Sequence, residues 1–318
     1  MYSPLTRFAF VLALATAAVG CNQQTAAPTA AAPAAPAPAP VAVAAAPDAA
    51  VLASVKALRA NNVAGLLENA LPAAEVAKMK ADWVKEMNKD PVTEEDRHKF
   101  AEQMSKLTAP GAEDKLYAEL EPQLKQFEQQ SAQQMPMMIA MGQGFIQSAI
   151  QQSKDLNDQQ KQQTTALIDA TAKWAQTAKF TDAALAKQAI GVICKTARDL
   201  NLKTVDEARA LSYDQAMQKA GIVLGGLKQV FALYGLSMDK ALDSVKVETV
   251  SANGDAAKVK VTYTAFDQPF ATESDLVKVD GKWYSKQAIA QWTKAQEREQ
   301  EMAKAAAPAG TSDPAAAK

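Results

Sequence analysis

Apolar side chains recur at three- and four-residue steps from Val51 to about residue 240, and at two-residue steps only after it. The first spacing keeps one face of an α-helix apolar, and the second keeps one face of a strand apolar. Leu52, Val55 and Leu58 mark a first helix, Asn61-Asn62 interrupts it, and Leu66, Leu67 and Leu71 belong to the next. Pro72 opens a helix carrying Val76, Met79, Trp83 and Met87, and Pro91 ends it. Thr93 caps a further helix whose first turn is Glu94-Glu95-Asp96, acidic where the macrodipole favours it. Phe100, Met104 and Leu107 form its inward stripe.

A helix beginning near Ala112 carries Leu116 and Leu120, is jogged at Pro122, and continues with Leu124 and Phe127. An apolar helix with Met137, Met138, Met141, Phe145 and Ile150 is expected after Pro136, then one with Leu167, Ile168 and Trp174. Thr181 is placed as the cap of a helix bearing Leu185, Ile190, Ile193 and Leu200. Thr204 with Glu207 and Ser212 with Gln215 are capping boxes. The second opens a helix through Val223, Leu227 and Phe231 that Gly235 ends. Lys219 and Lys228 break its apolar run, so it reads as a buried helix rather than a membrane span.

Beyond it, Val245, Val247 and Thr249 alternate with Lys246 and Glu248, Asn253-Gly254 makes a turn, and Val259, Val261, Tyr263 and Ala265 alternate again. That is a hairpin. A third strand is placed at 271–279 with a bulge near Leu276, where the apolar parity changes. Asp280-Gly281 then turns the chain into a short fourth strand at Lys282-Trp283-Tyr284, and a last helix carries Ile289 and Trp292. The expected fold is mainly α with a C-terminal four-stranded antiparallel β-meander, an α+β arrangement with helices covering one sheet face.

Residues 22 to 50 change character: six prolines stand among Ala and Thr. Proline fixes φ and removes donors, so this stretch reads as an extended tether. Before it, Arg7 closes a charged start and an uncharged run extends from Phe8 to Val19, too short to span a bilayer but suited to a secretory signal. The run ends in Ala18-Val19-Gly20-Cys21 and resembles the lipobox of a bacterial lipoprotein, although Leu is commoner at the first of these positions and Ala or Ser at the second. The resemblance implies cleavage before Cys21 and a diacylglycerol on its thiol, with palmitate-type chains holding the protein to a membrane. Asn22 stands where an Asp would imply inner-membrane retention, so the outer membrane is implied, facing the periplasm. The expected organisation is a signal peptide at 1–20, Cys21 and a tether at 21–50, a helical region at 51–240, the meander and final helix at 241–296 as part of the same domain, and a tail at 297–318.

The segment from Leu276 to Tyr284 resembles the closing hairpin of small secreted cystatin-like and nuclear-transport-factor-like domains, and Ala57 to Asn62 leading into Leu66-Leu67 resembles their first helices. The resemblance implies helices packed in the concavity of a curved sheet, with residues 72–236 as an insertion. It implies no chemistry.

Charge and composition narrow the function by exclusion. Lys+Arg total 34 against Asp+Glu 35, which lacks the basic footprint of a nucleic-acid binder. One His and two Cys argue against His/Cys metal sites and a His-based triad. The Met cluster Met135, Met137, Met138 and Met141 admits three readings: soft Cu(I) ligands, an adaptable partner or lipid groove, and core packing, the last being the expectation. Cys194 lies in an apolar helical context and is expected to be a buried inert thiol, with Arg198 one turn on as the nearest cation. His98 falls on a charged flank. Gly221, Gly225 and Gly226 before Lys228 match a phosphate loop poorly and suit close helix packing. Gln is dense from 123 to 163 and suits a solvated face, with self-association or a cell-wall contact as the alternative.

No catalytic constellation stands out, and no cofactor is implied. The sequence points to a lipid-anchored envelope protein of binding or structural role, not an enzyme, whose partners are the membrane and envelope proteins or cell-wall material. Carrying a lipid or other apolar small molecule in the sheet concavity or on the Met helix is the alternative, with a Met-based copper site as a further one.

Overall fold

The computed structural model describes residues 46–153 and 158–306, without the side chains of residues 130–135, 159, 299–300 and 302–306. Eleven helices and four strands lie within them, in the α+β arrangement expected from the change of period. Helix α1 (Pro47–Arg59) starts inside the stretch expected to be tether, because Pro47 at its first turn has a preset φ and no N–H to satisfy. Next come α2 (Val63–Ala70), capped by Asn62, then α3 (Ala73–Met87) and α4 (Glu94–Thr108), whose Thr93–Asp96 pair forms a capping box.

Helix α5 (Ala112–Gln152) runs unbroken for 41 residues through Pro122 and Pro136, where two shorter helices were expected. An interior proline removes one backbone bond and strains the turn before it, at a cost of about 3 kcal/mol. Packing outweighs that cost because the two ends are held by different neighbours. Ala112, Leu116 and Leu120 pack on Ile190 and Cys194 of α7 (Ala183–Leu200). At the far end, Gln143 and Gln147 donate to Asp169 of α6 (Asp158–Thr177) at 2.8 and 2.9 Å. Asp182, not Thr181, caps α7, its carboxylate accepting from the N–H groups of Ala184 and Leu185.

Short α8 (Val205–Arg209) and long α9 (Tyr213–Leu233) both open on the capping boxes read from sequence, and α10 (Met238–Asp243) leads into the sheet. Val63 and Leu67 of α2 meet Tyr213, Ala216, Met217, Ala220 and Leu224 of α9 in one core, roofed by Trp83 of α3, whose Nε1 donates to the Leu211 carbonyl.

Strands β1 (Lys246–Asn253), β2 (Ala256–Ala265), β3 (Gln268–Val279) and β4 (Lys282–Ser285) pair antiparallel in sequence order. The bulge lies in β1 between Thr249 and Ser251, while β2 and β3 pair without a shift through Leu276. The parity change at Leu276 instead reflects burial on both faces, with Leu276 and Trp283 inside one core and Tyr284 buried on the opposite side. Val259, Val261, Leu276 and Trp283 face α1, and Ala50 and Val51 fill the space over them. The turn from β2 to β3 is Phe266-Asp267, both at positive φ (51° and 57°), as a two-residue hairpin of this twist requires. Neither residue is glycine. The Phe266 ring lies 6.3 Å from Trp174, which also donates from Nε1 to the Tyr234 carbonyl at 2.7 Å, so α6, the end of α9 and the hairpin tip share one aromatic junction. The last helix, α11 (Lys286–Ala306), extends past the expected boundary at 296.

Lys228 joins the two halves. Its side chain is 4% exposed, and Nζ donates to the Leu58 carbonyl at 2.6 Å and the Arg59 carbonyl at 3.3 Å, with Asp239 Oδ1 2.9 Å away. Two carbonyls at the end of α1 thus accept from the ammonium, which also forms an ion pair with Asp239. Lys228→Met should destabilise the fold by about 2 kcal/mol in denaturant titration, because the Leu58 and Arg59 carbonyls lose a buried donor. Glycines of α9 make a second contrast. A Cβ at Gly221 would lie 2.4 Å from the Asn61 carbonyl oxygen, while Gly144 of α5 has open space. Gly221→Ala should cost about 2 kcal/mol, and Gly144→Ala should gain about 0.5–1 kcal/mol, both read from urea midpoints.

Candidate functional site

The residues singled out from sequence end up in very different surroundings. Cys21 and the signal segment lie outside the described residues, as does the side chain of Met135. Cys194 is fully buried, and burial pushes its thiol above the ordinary range, the state of an inert structural cysteine. Arg198 does not serve it: the guanidinium makes a bidentate pair with Glu113 at 2.7 and 2.9 Å, holding that carboxyl below its ordinary range. His98 is 82% exposed, with Nδ1 3.8 Å from Glu102, on the solvated flank expected of it. The glycines of α9 are packing positions. Gly221 and Gly225 face Asn61, and a Cβ at Gly226 would sit 2.2 Å from Thr196 Oγ1 of α7.

The Met cluster departs most from expectation. Met137, Met138 and Met141 are 68, 62 and 72% exposed, and Phe145 is 79% exposed. They are not core residues. At about 100° per residue, these positions and Phe127, also exposed, share the face of α5 that carries Ala112, Leu116 and Leu120 one to several turns earlier. There α7 covers it; further on, nothing among the described residues does. Gln143, Gln147 and Ile150 point to the opposite side, toward α6. The stripe therefore continues a core-facing surface past the end of its cover. The sequence around it carries no charged residue from 129 to 153. Apolar patches left open on this scale mark interaction sites, and methionine adapts its shape to whatever it meets. The signal that would have found it is this charge-free run combined with the phase shared with Leu116 and Leu120.

A second concavity of about 820 Å³ lies between α7, α9 and the Asn61-Asn62 turn. Asn61, Asn62, Thr196, Asp199, Gln218 and Gln229 supply amide, hydroxyl and carboxylate groups to it, and it is open to solvent. Asn61 is held at φ 56° and its Oδ1 is buried with no hydrogen-bond partner among the described residues. Val63, Met217 and Ile222 add apolar surface to the lining, and Lys195 pairs with Asp199 at its edge. Elsewhere, Asp206 and Glu207 serve the start of α8: Asp206 pairs with Arg97, and Glu207 accepts from Lys203 and Thr204 N–H. Among the described residues no three His, Cys, Asp or Glu side chains converge on a common point, and no helix is long and apolar enough to cross a membrane. The apolar face of the sheet is taken by α1.

No protein-family model, no curated protein and no solved structure matches this chain.

Beside the trough, Tyr213 stacks edge-on against Trp83 at 5.6 Å, with Lys80 over its ring and its hydroxyl buried without a partner among the described residues. Burial, reinforced by Glu68 and Asp214, pushes this phenol up to about 12. An unfolded tyrosine ionises near 10. The folded group thus keeps its proton longer, and its contribution is complete below about pH 10 and lost as pH rises toward 12. Alkaline unfolding followed by circular dichroism should show that decline, and Tyr213→Phe, which also removes an orphan hydroxyl, should diminish it without loss of stability at pH 7.

Proposed function

We propose that this chain is a lipid-anchored envelope protein that acts by binding, not catalysis, with the Met/Phe face of α5 as its working surface. One observation carries the binding half: four large apolar side chains, from Met137 to Phe145, stand 62–79% exposed on a helix whose core-facing phase they share. A folded protein leaves such a surface open where something else closes it. The resemblance of Ala18-Val19-Gly20-Cys21 to a lipobox supports the anchoring half. Several acyl chains on one thiol, at about 0.8 kcal/mol per buried CH₂, make a durable membrane attachment, and the Ala/Pro stretch before α1 gives the folded body reach. The proposed location is the periplasmic face of the outer membrane, and the partners are envelope proteins or cell-wall material.

Two measurements test the halves separately. Mass spectrometry of the N-terminal peptide from the native host should find acylated Cys21, and globomycin-type inhibition should leave the precursor uncut. A bare thiol at 21, or a chain starting at Val19, overturns the anchor. A photoreactive residue at Met141 should form adducts with an envelope component in living cells, whereas one at Val84, exposed on α3, should not. Equal labelling at the two positions overturns the binding surface.

A further inference from the structure

We infer that the occupant of the open α5 face is the same face of a second copy of this chain, the two hairpins of α5 and α6 crossing in a symmetric pair. The inference rests on the binding role proposed above and names the partner. Three observations on the helix converge on it.

The first is continuity. Leu116 and Leu120 lie against Ile190 and Cys194 of α7, so this phase of α5 is already shaped to receive another helix. At Phe127, and from Met137 through Met141 to Phe145, the same phase is uncovered among the described residues. What fits there is an amphipathic helix in the place α7 occupies earlier, and the C-terminal half of α5 in another copy is such a helix. Its apolar positions follow three- and four-residue steps at 138, 141 and 145, the spacing by which paired helices interlock.

The second is charge. A symmetric contact sets each residue against itself or a close neighbour, so charged residues near the axis repel their own copies. Residues 129–153 carry no charge, whereas α4 alone has Glu94, Glu95, Asp96, Arg97, Lys99 and Glu102 in its first nine residues. A membrane surface is the poorer match, because interfacial helices place Lys and Arg on their polar face to meet anionic headgroups, and here Gln occupies it.

The third is area. The five apolar side chains of the stripe are exposed at 45–79%. At roughly 150 Å² for side chains of this size, they offer about 500 Å² per copy and about 1,000 Å² for the pair, the lower edge of a specific interface. Confinement of both copies to one membrane raises their effective concentration and makes a contact of that size sufficient.

Single cysteines test the pairing in the full chain. Cys194 is fully buried, so an added thiol on the surface reports on its own position. Met138→Cys, Met141→Cys and Phe145→Cys are to be treated with a short bismaleimide in native-host membranes, with Val84→Cys as the exposed control. Covalent product at twice the chain mass, from at least one stripe position and not from position 84, is the expected result. Adding Phe145→Glu to Met141→Cys should cut that product about tenfold or more, since the pair would bury two like charges, while the thermal melt stays unchanged. Product joined only to other proteins overturns the second copy as occupant and leaves the binding role standing. Equal product at 84 and 141, or none at any stripe position with no photo-adduct at Met141, overturns both.

Discussion

A single buried ammonium carries the connection between the helical body and the sheet. Lys228 reaches from α9 to the end of α1, where the Leu58 and Arg59 carbonyls accept from it, and Asp239 supplies the opposite charge. Burying a charge is costly unless it is paired and hydrogen-bonded, and here two carbonyls and one carboxylate surround it. Arg59 extends the contact to Asp239 and Asp243 at 3.1 and 2.8 Å. Because α1 lies across the apolar face of the sheet, this one connection sets where the sheet stands against α9 and hence against the core of α2 and α3. The glycines of α9 serve the same approach, since a side chain at 221 would collide with the turn that follows α1.

The other organising element is the 41-residue helix α5. Its first part is a core helix, packed on Cys194 and Ile190, and its last part leans on α6 through two glutamines and Ile150. Between these neighbours it keeps one apolar face without cover. Hydrophobic burial usually consumes such a face within the same chain. Here the cover ends before the stripe does, because α7 is 18 residues long and α5 more than twice that. Length mismatch between packed helices, rather than any special residue, makes the exposed surface.

The proposed anchor and tether and the observed stripe form one coherent device. In the proposed reading, a lipid fixes the N-terminus, the Ala/Pro stretch lets the body stand off the membrane, and the body presents a neutral, deformable apolar face. None of these parts asks for reaction chemistry. The trough beside Asn61 adds a surface of mixed polar and apolar groups, placed against the same α9 that Lys228 holds.

Much of the fold was legible because its causes are local. The Thr93 cap, the capping boxes at Thr204 and Ser212, the period-two run after Val245 and the turn at Asp280-Gly281 all formed where the sequence placed them. The same holds for the inert surroundings of Cys194 and the solvated flank of His98, since apolar or charged neighbours in sequence remain neighbours on one helix. What the chain could not announce depends on contacts between distant segments. Pro122 and Pro136 read as breaks because a proline's local cost is visible while the packing that outweighs it is not. Met137, Met138 and Met141 read as core because helical phase says which residues share a face but never how far the opposing helix extends. Lys228 read as an interruption in an apolar run, and only the arrival of α1 and Asp239 made it a joint. Local sequence determined the elements and their faces; tertiary structure alone decided which faces were covered, because burial depends on the length and placement of partners far apart in the chain.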